Sequence, residues 1–331
     1  MKSIGIIANP ASGKDIRKLV SHATVIDNNE KINIVKRIIL GAQALGIEKV
    51  YIMPDFYNIG YVVEEQLKLI GELKCELEII DIKQTDSIKD SQEATKYMSE
   101  VGVGCILVLG GDGTNRAVAK VIDDVPIISI STGTNNVYPE MLEGTVAGIA
   151  AAALLSEKFN SDKFIHKDKR IEIYKEGELV DIALVDAAIS TENVIGSKAI
   201  WNHRNIEKVI VSRAHPDSIG FSAIVGCKKV IEVTDDFGAV VDLNSVGSKI
   251  YAPIAAGVVT EIIVSEPRIL KLDEDYHYKT NYKGTIALDG EREIQFFENQ
   301  EFVFRITRNG PRRVDVKKIL ENAQKNNFFN V

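Results

Sequence analysis

Cysteine is scarce in this chain. Cys75, Cys105 and Cys227 are odd in number and far apart, with no CxxC pair and no Cys/His cluster at zinc spacing. A disulfide framework and a structural zinc site are therefore excluded. Cys75 and Cys105 sit in apolar strand-like runs, which reads as buried thiols in a reducing cytosol. Long apolar stretches are missing too. The longest, around Val146 to Leu155, is Ala-rich and far short of the ~18 residues a membrane span needs. No long Lys/Arg run appears, and the net charge is −7 with a pI near 5.5. That balance argues against a nucleic-acid-wrapping face, although a few local donors would suffice for a phosphate ligand. Met1 to Ala8 runs straight into an apolar strand without the apolar core and small-residue cleavage site of a signal peptide, so a cytoplasmic location is expected. His22, His166, His203, His215 and His277 show no metal-site spacing. Repeats and low-complexity tracts are absent.

What is present is ordinary globular composition over 331 residues, 45% hydrophobic and 26% charged, enough for two domains. The first half alternates strand and helix. Apolar runs at Ile4 to Ala8, Val50 to Met53, Cys75 to Ile80, Cys105 to Leu109 and Pro126 to Ile130 lack polar alternation and predict buried strands. Between them come helical stripes: Ile34, Val35, Ile38, Ala42 and Leu45; Ile59, Val63, Leu67 and Ile70; Ala94, Tyr97, Met98 and Val101. Thr114 to Ile122 and Gly144 to Leu155 read as further helices. This predicts an α/β fold, a Rossmann-like parallel sheet covered on both faces over residues 1–156. Residues 15–31, between strand one and its helix, read as a long connection of the kind that often forms a lid or binding loop.

After about residue 156 the pattern changes. Short strand candidates at Arg170 to Tyr174, Glu178 to Val185, Lys208 to Val211, Ile224 to Val233, Ile262 to Val264, Gly284 to Leu288 and Glu301 to Ile306 are separated by turns. Those turns are Glu176-Gly177, Asp236-Phe237-Gly238, Asp289-Gly290 and Asn309-Gly310. Residues 157–310 are therefore expected to form an antiparallel β-sandwich domain. Val316, Ile319, Leu320 and Ala323 predict a C-terminal helix within 311–331, packing back on the first domain.

In parallel sheets ligands sit beyond the carboxyl ends of the strands. Three polar or glycine-rich turns, at Asn9, Gly110 and Thr132, leave those ends. The central one is Gly110-Gly111-Asp112-Gly113-Thr114-Asn115-Arg116, a strand running directly into glycines and then a helix. Glycines let the backbone approach a phosphate closely, and the N–H groups of the helix start point at the anion. Thr114 and Asn115 add side-chain donors. Asp112 is the unusual member: a carboxylate beside a phosphate site can hold Mg²⁺ or accept the proton of an attacking hydroxyl. The turn is not a Walker A loop, because Gly13-Lys14 lacks the spaced glycine and the following Ser/Thr. No GxGxxG fingerprint follows strand one.

Gly110 to Thr114 resembles the shared motif of the superfamily of NAD kinases, diacylglycerol kinases, sphingosine kinases and 6-phosphofructokinases. Asn9-Pro10-Ala11-Ser12-Gly13 and Ser131-Thr132-Gly133-Thr134-Asn135-Asn136-Val137-Tyr138-Pro139 resemble two further elements of that group. The latter stretch and Asp186 to Trp201 look like the ATP–NAD kinase-like branch typified by acetoin catabolism proteins. The resemblance implies an α/β domain followed by a β-sandwich, with the active site between them. It also implies ATP or polyphosphate as phosphoryl donor, Mg²⁺ as cofactor, NAD (giving NADP) as default acceptor, and a homo-oligomer. By position, Asn9, Gly110, Gly111, Gly113, Thr114, Asn115, Gly133, Thr134, Asn135 and Asn136 would bind nucleotide or acceptor. Asp112 would be the catalytic or metal-orienting carboxylate. The Gly-Ser-Thr-Ala-Tyr stretch that helps NAD kinases bind NAD has no good counterpart here, which opens the acceptor to other hydroxylated metabolites. Asp289-Gly290-Glu291 matches a late element of the lipid kinases and offers Asp289, or Glu291, as a second catalytic carboxylate. The same Asp-Gly is also a strong hairpin signal. A sensor that binds nucleotide without transfer is the alternative of another class.

Three arginines are candidates for a phosphate contact: Arg204, Arg213 and, nearest the glycine turn, Arg116. Trp201 could stack on a base or pack between domains. Asp273-Glu274-Asp275 reads as a solvated turn.

Overall fold

A computed structural model describes residues 1–12, 22–24, 26–133, 135–192 and 203–330, apart from the side chain of Arg292. In the first half, strand and helix alternate as β1 (Ser3–Ala8), α1 (Asn28–Ala44), β2 (Lys49–Ile52), α2 (Ile59–Leu69), β3 (Glu76–Ile79), α3 (Ile88–Glu100), β4 (Ile106–Gly110), α4 (Asp112–Ala119), β5 (Ile127–Ser131) and α5 (Gly144–Leu154). These strands pair in parallel in the order β3-β2-β1-β4-β5. Every residue of β1, β4 and β5 is buried, which is why their sequences show no alternation. Helices α1, α2 and α5 cover one face, and α3 and α4 the other.

Local sequence sets the helix starts. Asp27 caps α1 by accepting from the Glu30 N–H, and Ser87 and Asp90 form a capping box on α3. The connection expected over 15–31 ends at Asp27, because residues 28–31 are already the first turn of α1. Residues 15–21 and 25 lie outside the described residues.

Helices α1 and α5 cross at backbone contact. A Cβ on Gly148 would stand 2.1 Å from the Ile38 carbonyl oxygen, and one on Gly41 2.5 Å from that of Thr145. Gly148→Ala should therefore force the helices apart and cost about 1–3 kcal/mol, read by urea unfolding. Unchanged stability would mean that the crossing relaxes freely.

The second half comprises β6 (Ile165–Lys167), β7 (Arg170–Lys175), β8 (Glu178–Ala183), β9 (Asp186–Ser190), β10 (Ile206–Val211), α6 (Phe221–Gly226), β11 (Phe237–Ala255), β12 (Val258–Val264), β13 (Arg268–Lys271), β14 (Asp275–Lys279), β15 (Gly284–Leu288), β16 (Glu291–Phe296), β17 (Glu301–Thr307), β18 (Arg312–Val314) and α7 (Val316–Lys325). One sheet runs β12-β11-β10-β9-β15-β16 with β13 also on β11, and a four-stranded sheet runs β14-β17-β7-β8. All their pairings are antiparallel. Phe296, Phe302, Phe304, Ile306, Ile286 and Leu288 fill the core between the sheets and are fully buried. Glu176-Gly177 and Asp289-Gly290 both carry positive φ at both residues, the hairpin geometry their sequences announce.

Two expectations need correction. The apolar run from Ile224 is not a strand: residues 221–226 form α6, packed on β10 and β11. A short run buried on all sides carries no periodicity to separate helix from strand. Asp236-Phe237-Gly238 is not a turn either, since β11 starts at Phe237. Gly238 is there for close approach, because a Cβ would meet the Val211 carbonyl oxygen at 2.2 Å.

Helix α7 packs against the core of the first sheet. Ile319, Ala323 and Phe328 join the core beneath α5. Ahead of it, β18 pairs in parallel with β5 and antiparallel with β6, so both strands extend the first sheet.

Candidate functional site

Three turns meet at the carboxyl edge of the parallel sheet. The Asn9 side chain donates to Thr114 Oγ1 (3.0 Å), which ties the end of β1 to α4. Ser12 Oγ lies 3.0 Å from Thr132 Oγ1, which ties the same turn to the end of β5. Gly110 has no room for a side chain: a Cβ would fall 2.5 Å from that of Thr114. Gly111 precedes α4, whose N-terminus carries no side-chain cap hydrogen bond. Asn115 is fully buried and donates to the Gly111 carbonyl. Asn136 donates to Ser131 Oγ and to the Gly133 carbonyl, which holds the third turn. Asn135 Oδ1 is buried with no hydrogen-bond partner among the described residues. Gly113, the second residue of α4, lies beside Glu291 of the second half of the chain. Thr134 and Trp201 lie outside the described residues.

Lys31, which sequence reasoning passed over, underlies the first turn. It is 1% exposed, and its ammonium donates to the carbonyls of Asn9 (2.9 Å), Pro10 (3.3 Å) and Ser12 (2.8 Å), and to Asn28 Oδ1 (3.2 Å). A cation that gathers carbonyls inward fixes the turn's shape and places positive charge beneath it. Its signal was legible, because Lys31 stands one helical turn before Val35 on the buried stripe of α1. Lys31→Met should leave these carbonyls unsatisfied and cost about 1–3 kcal/mol. Thermal unfolding would measure it, and an unchanged midpoint would rule the role out.

Asp112, at the start of α4, reaches across to the third turn. Its carboxylate accepts from the backbone N–H groups of Val137 (3.1 and 3.2 Å) and Tyr138 (2.8 Å). Two amides aimed at one carboxylate fix its orientation.

Asp289 lies elsewhere. Its side chain is fully buried at the β15–β16 turn, where it accepts from the N–H groups of Leu184, Val185 and Asp186. Burial pushes its carboxyl above the usual range, against the pull of Arg116 and of those amides. Arg116 does not face the turns. It is 4% exposed and lies 2.6 Å from Glu293, 3.7 Å from Glu291 and 3.8 Å from Asp289. In place of the expected phosphate contact, its buried guanidinium joins α4 to the second half through carboxylates of which only Asp289 is fully buried. Arg213 likewise pairs with Asp168, at 3.3 Å. Arg204 sits in a single helical turn before β10. Glu291, by contrast, reaches the glycine turn: a Cβ on Gly113 would stand 3.0 Å from its Oε1. Among the described residues no three His, Cys, Asp or Glu side chains cluster as a metal site, and no helix is long and apolar enough to cross a membrane.

Comparison with known proteins matches two family models to the chain. Residues 4–159 match the family described as ATP-NAD kinase N-terminal domain, and residues 169–309 match the acetoin catabolism protein X C-terminal domain. Among solved structures, the chain is similar to yeast NADH kinase complexed with NADH, with a TM-score of 0.48 and 12% identity, covering 100% of this chain and 88% of that one. An NAD kinase from Archaeoglobus fulgidus in complex with ATP gives a TM-score of 0.44 and 14% identity, over 84% of this chain and 97% of that one. Acetoin catabolism protein X of Cupriavidus necator is 33% identical over 336 residues, spanning 98% of this chain and 93% of that protein. With an N-terminal half of ATP–NAD kinase type and a relative matched along nearly its whole length, the chain belongs to the acetoin catabolism protein X family.

Proposed function

We propose that this protein is a small-molecule kinase that transfers the terminal phosphoryl group of ATP to a hydroxyl acceptor. The observation that carries the reading is the convergence of three tied turns on one uncapped helix start, with one carboxylate, Asp112, held across them. The N–H groups of α4, with Thr114 and Asn9, bind the phosphates of the nucleotide. Asn135 and Asn136 face nucleotide or acceptor from the third turn. Asp112 accepts the proton of the attacking hydroxyl or orients it. Asp289 serves instead as an anchor of the β15–β16 turn, since its carboxylate is enclosed by amides. Glu291 is then the second-half carboxylate at the glycine turn.

Mg²⁺ fits this donor set. It is commonly held by one or two carboxylates together with substrate phosphates rather than by an all-protein cage. Asp112 and Glu291 supply carboxylates at the glycine turn, and a bound ion would neutralise phosphate charge.

NAD is the default acceptor by the kind of N-terminal half. The missing Gly-Ser-Thr-Ala-Tyr stretch favours a second reading, another hydroxylated metabolite. A lipid acceptor is disfavoured, because the β-sandwich core is filled by Phe296, Phe302 and Phe304 rather than open to an acyl chain. The deciding experiment measures ATP and polyphosphate consumption across NAD, NADH, sugars, polyols and lipids, with Mg²⁺. Turnover with one acceptor supports the proposal. ATP binding without turnover on any would replace it with the nucleotide-sensor reading, and absence of ATP binding would overturn both.

A further inference from the structure

We infer that Tyr138, gripped by Arg213 and Arg313 on the buried carboxylate of Asp168, is the positioning device that holds the third turn onto Asp112. The inference rests on the proposed role of Asp112 only for its functional consequence; the contacts stand by themselves. Tyr138 is fully buried, yet it belongs to the same turn whose Val137 and Tyr138 amides bind the Asp112 carboxylate. The guanidinium carbon of Arg213 lies 4.8 Å from the Tyr138 ring centroid, and that of Arg313 lies 5.4 Å from it. Both cations converge on Asp168, which is 1% exposed: Arg313 Nε at 3.0 Å and Arg213 Nη2 at 3.3 Å.

The three charged residues come from outside the parallel core of the first half. Asp168 lies between β6 and β7, Arg213 follows β10, and Arg313 is in β18. Arg313 also pairs with Glu140, at 3.1 Å. Glu140 closes the base of the turn, where its carbonyl accepts from the Ser131 N–H and its own N–H donates to the Ser129 carbonyl. The turn is thus held at its stem by backbone, on one side by Asp112 and on the other by the Tyr138 ring. A buried ring held by two paired cations has one available position, because any shift separates desolvated charges from the π-face. The backbone amides of Val137 and Tyr138 inherit that position, and with them the orientation of the Asp112 carboxylate. The second half of the chain thereby sets the geometry of a group in the first.

Amide hydrogen exchange on the full chain tests this without reference to any ligand, using Tyr138→Phe, Tyr138→Leu and Arg213→Met. In the wild type, the Val137 and Tyr138 amides should be protected. Tyr138→Phe keeps the ring face and should retain that protection. Tyr138→Leu and Arg213→Met should each speed exchange at these two amides by about 10-fold, the scale of a desolvated cation–π contact. The amides of β4 and β5 should keep wild-type rates. Equal protection in all variants overturns the inference, as does a general loss of protection that includes β4 and β5. Loss in Tyr138→Phe equal to that in Tyr138→Leu also overturns it. In parallel, binding of a fluorescent N-methylanthraniloyl ATP is measured. Failure of the wild type to bind it counts against the kinase reading, while the amide pattern still decides the positioning role.

Discussion

Asp112→Asn should lower phosphoryl transfer from ATP by about 10²–10⁴-fold, the range set by loss of a positioned proton acceptor. The substitution preserves shape, so its effect isolates charge. In the wild type the carboxylate takes N–H bonds from both Val137 and Tyr138. An amide offers one acceptor oxygen, and its NH₂ would confront a donor, so one bond worth about 1 kcal/mol is lost as well. Folding should survive that cost. The check is steady-state turnover against the acceptor found in the screen, alongside thermal unfolding. Near-normal turnover would remove Asp112 from the mechanism. Lost turnover together with a collapsed unfolding midpoint would mean that the carboxylate serves only to hold the turn.

Arg116→Met should destabilise the fold by about 3–5 kcal/mol, because it leaves Asp289 and Glu293 without their buried cation. The pH dependence separates this from ordinary packing loss. Asp289 already has its carboxyl raised by burial, and Arg116 is the charge that opposes the rise. Without Arg116 it rises further, so the folded state holds a proton that the unfolded state releases. Stability is then present at low pH and falls as pH climbs through the folded-state value. The variant should therefore be less impaired near pH 5 than near pH 8. Adding Asp289→Asn should recover part of the loss at the higher pH. Urea unfolding at the two pH values measures both, and a deficit that does not vary with pH would contradict the buried-charge account.

The turns proposed as the donor side of the site were largely legible from residue order. Gly110 to Thr114 follows a run of buried apolar residues, and its glycines stand where a Cβ would meet Thr114 or approach Glu291. The Asn9 and Thr132 turns were readable as neighbours because parallel strands put their carboxyl ends on one edge. Asp289 illustrates the opposite case. Its Asp-Gly pair suits both a hairpin and a catalytic carboxylate, and the N–H bonds from Leu184 to Asp186 favour the anchor reading. Arg116 misled for the same reason. It sits in the first turn after the glycines, but in an α-helix that still leaves open which face it presents. Its side chain finds the carboxylates of β16, more than 170 residues away in sequence, as with Glu293 at a separation of 177.

By itself, the sequence determined the alternation of the first half, the hairpins at Glu176-Gly177 and Asp289-Gly290, and the glycine turn proposed to bind phosphate. These are local facts, set by apolar periodicity and by backbone conformations that few residues tolerate. Only the tertiary structure decided what holds that turn in place. Lys31 beneath Asn9, Arg116 against β16, and Tyr138 beneath Arg213 and Arg313 are buried charges and rings whose partners lie far along the chain. A desolvated charge must find its partner in space, and sequence spacing carries no record of which one it finds.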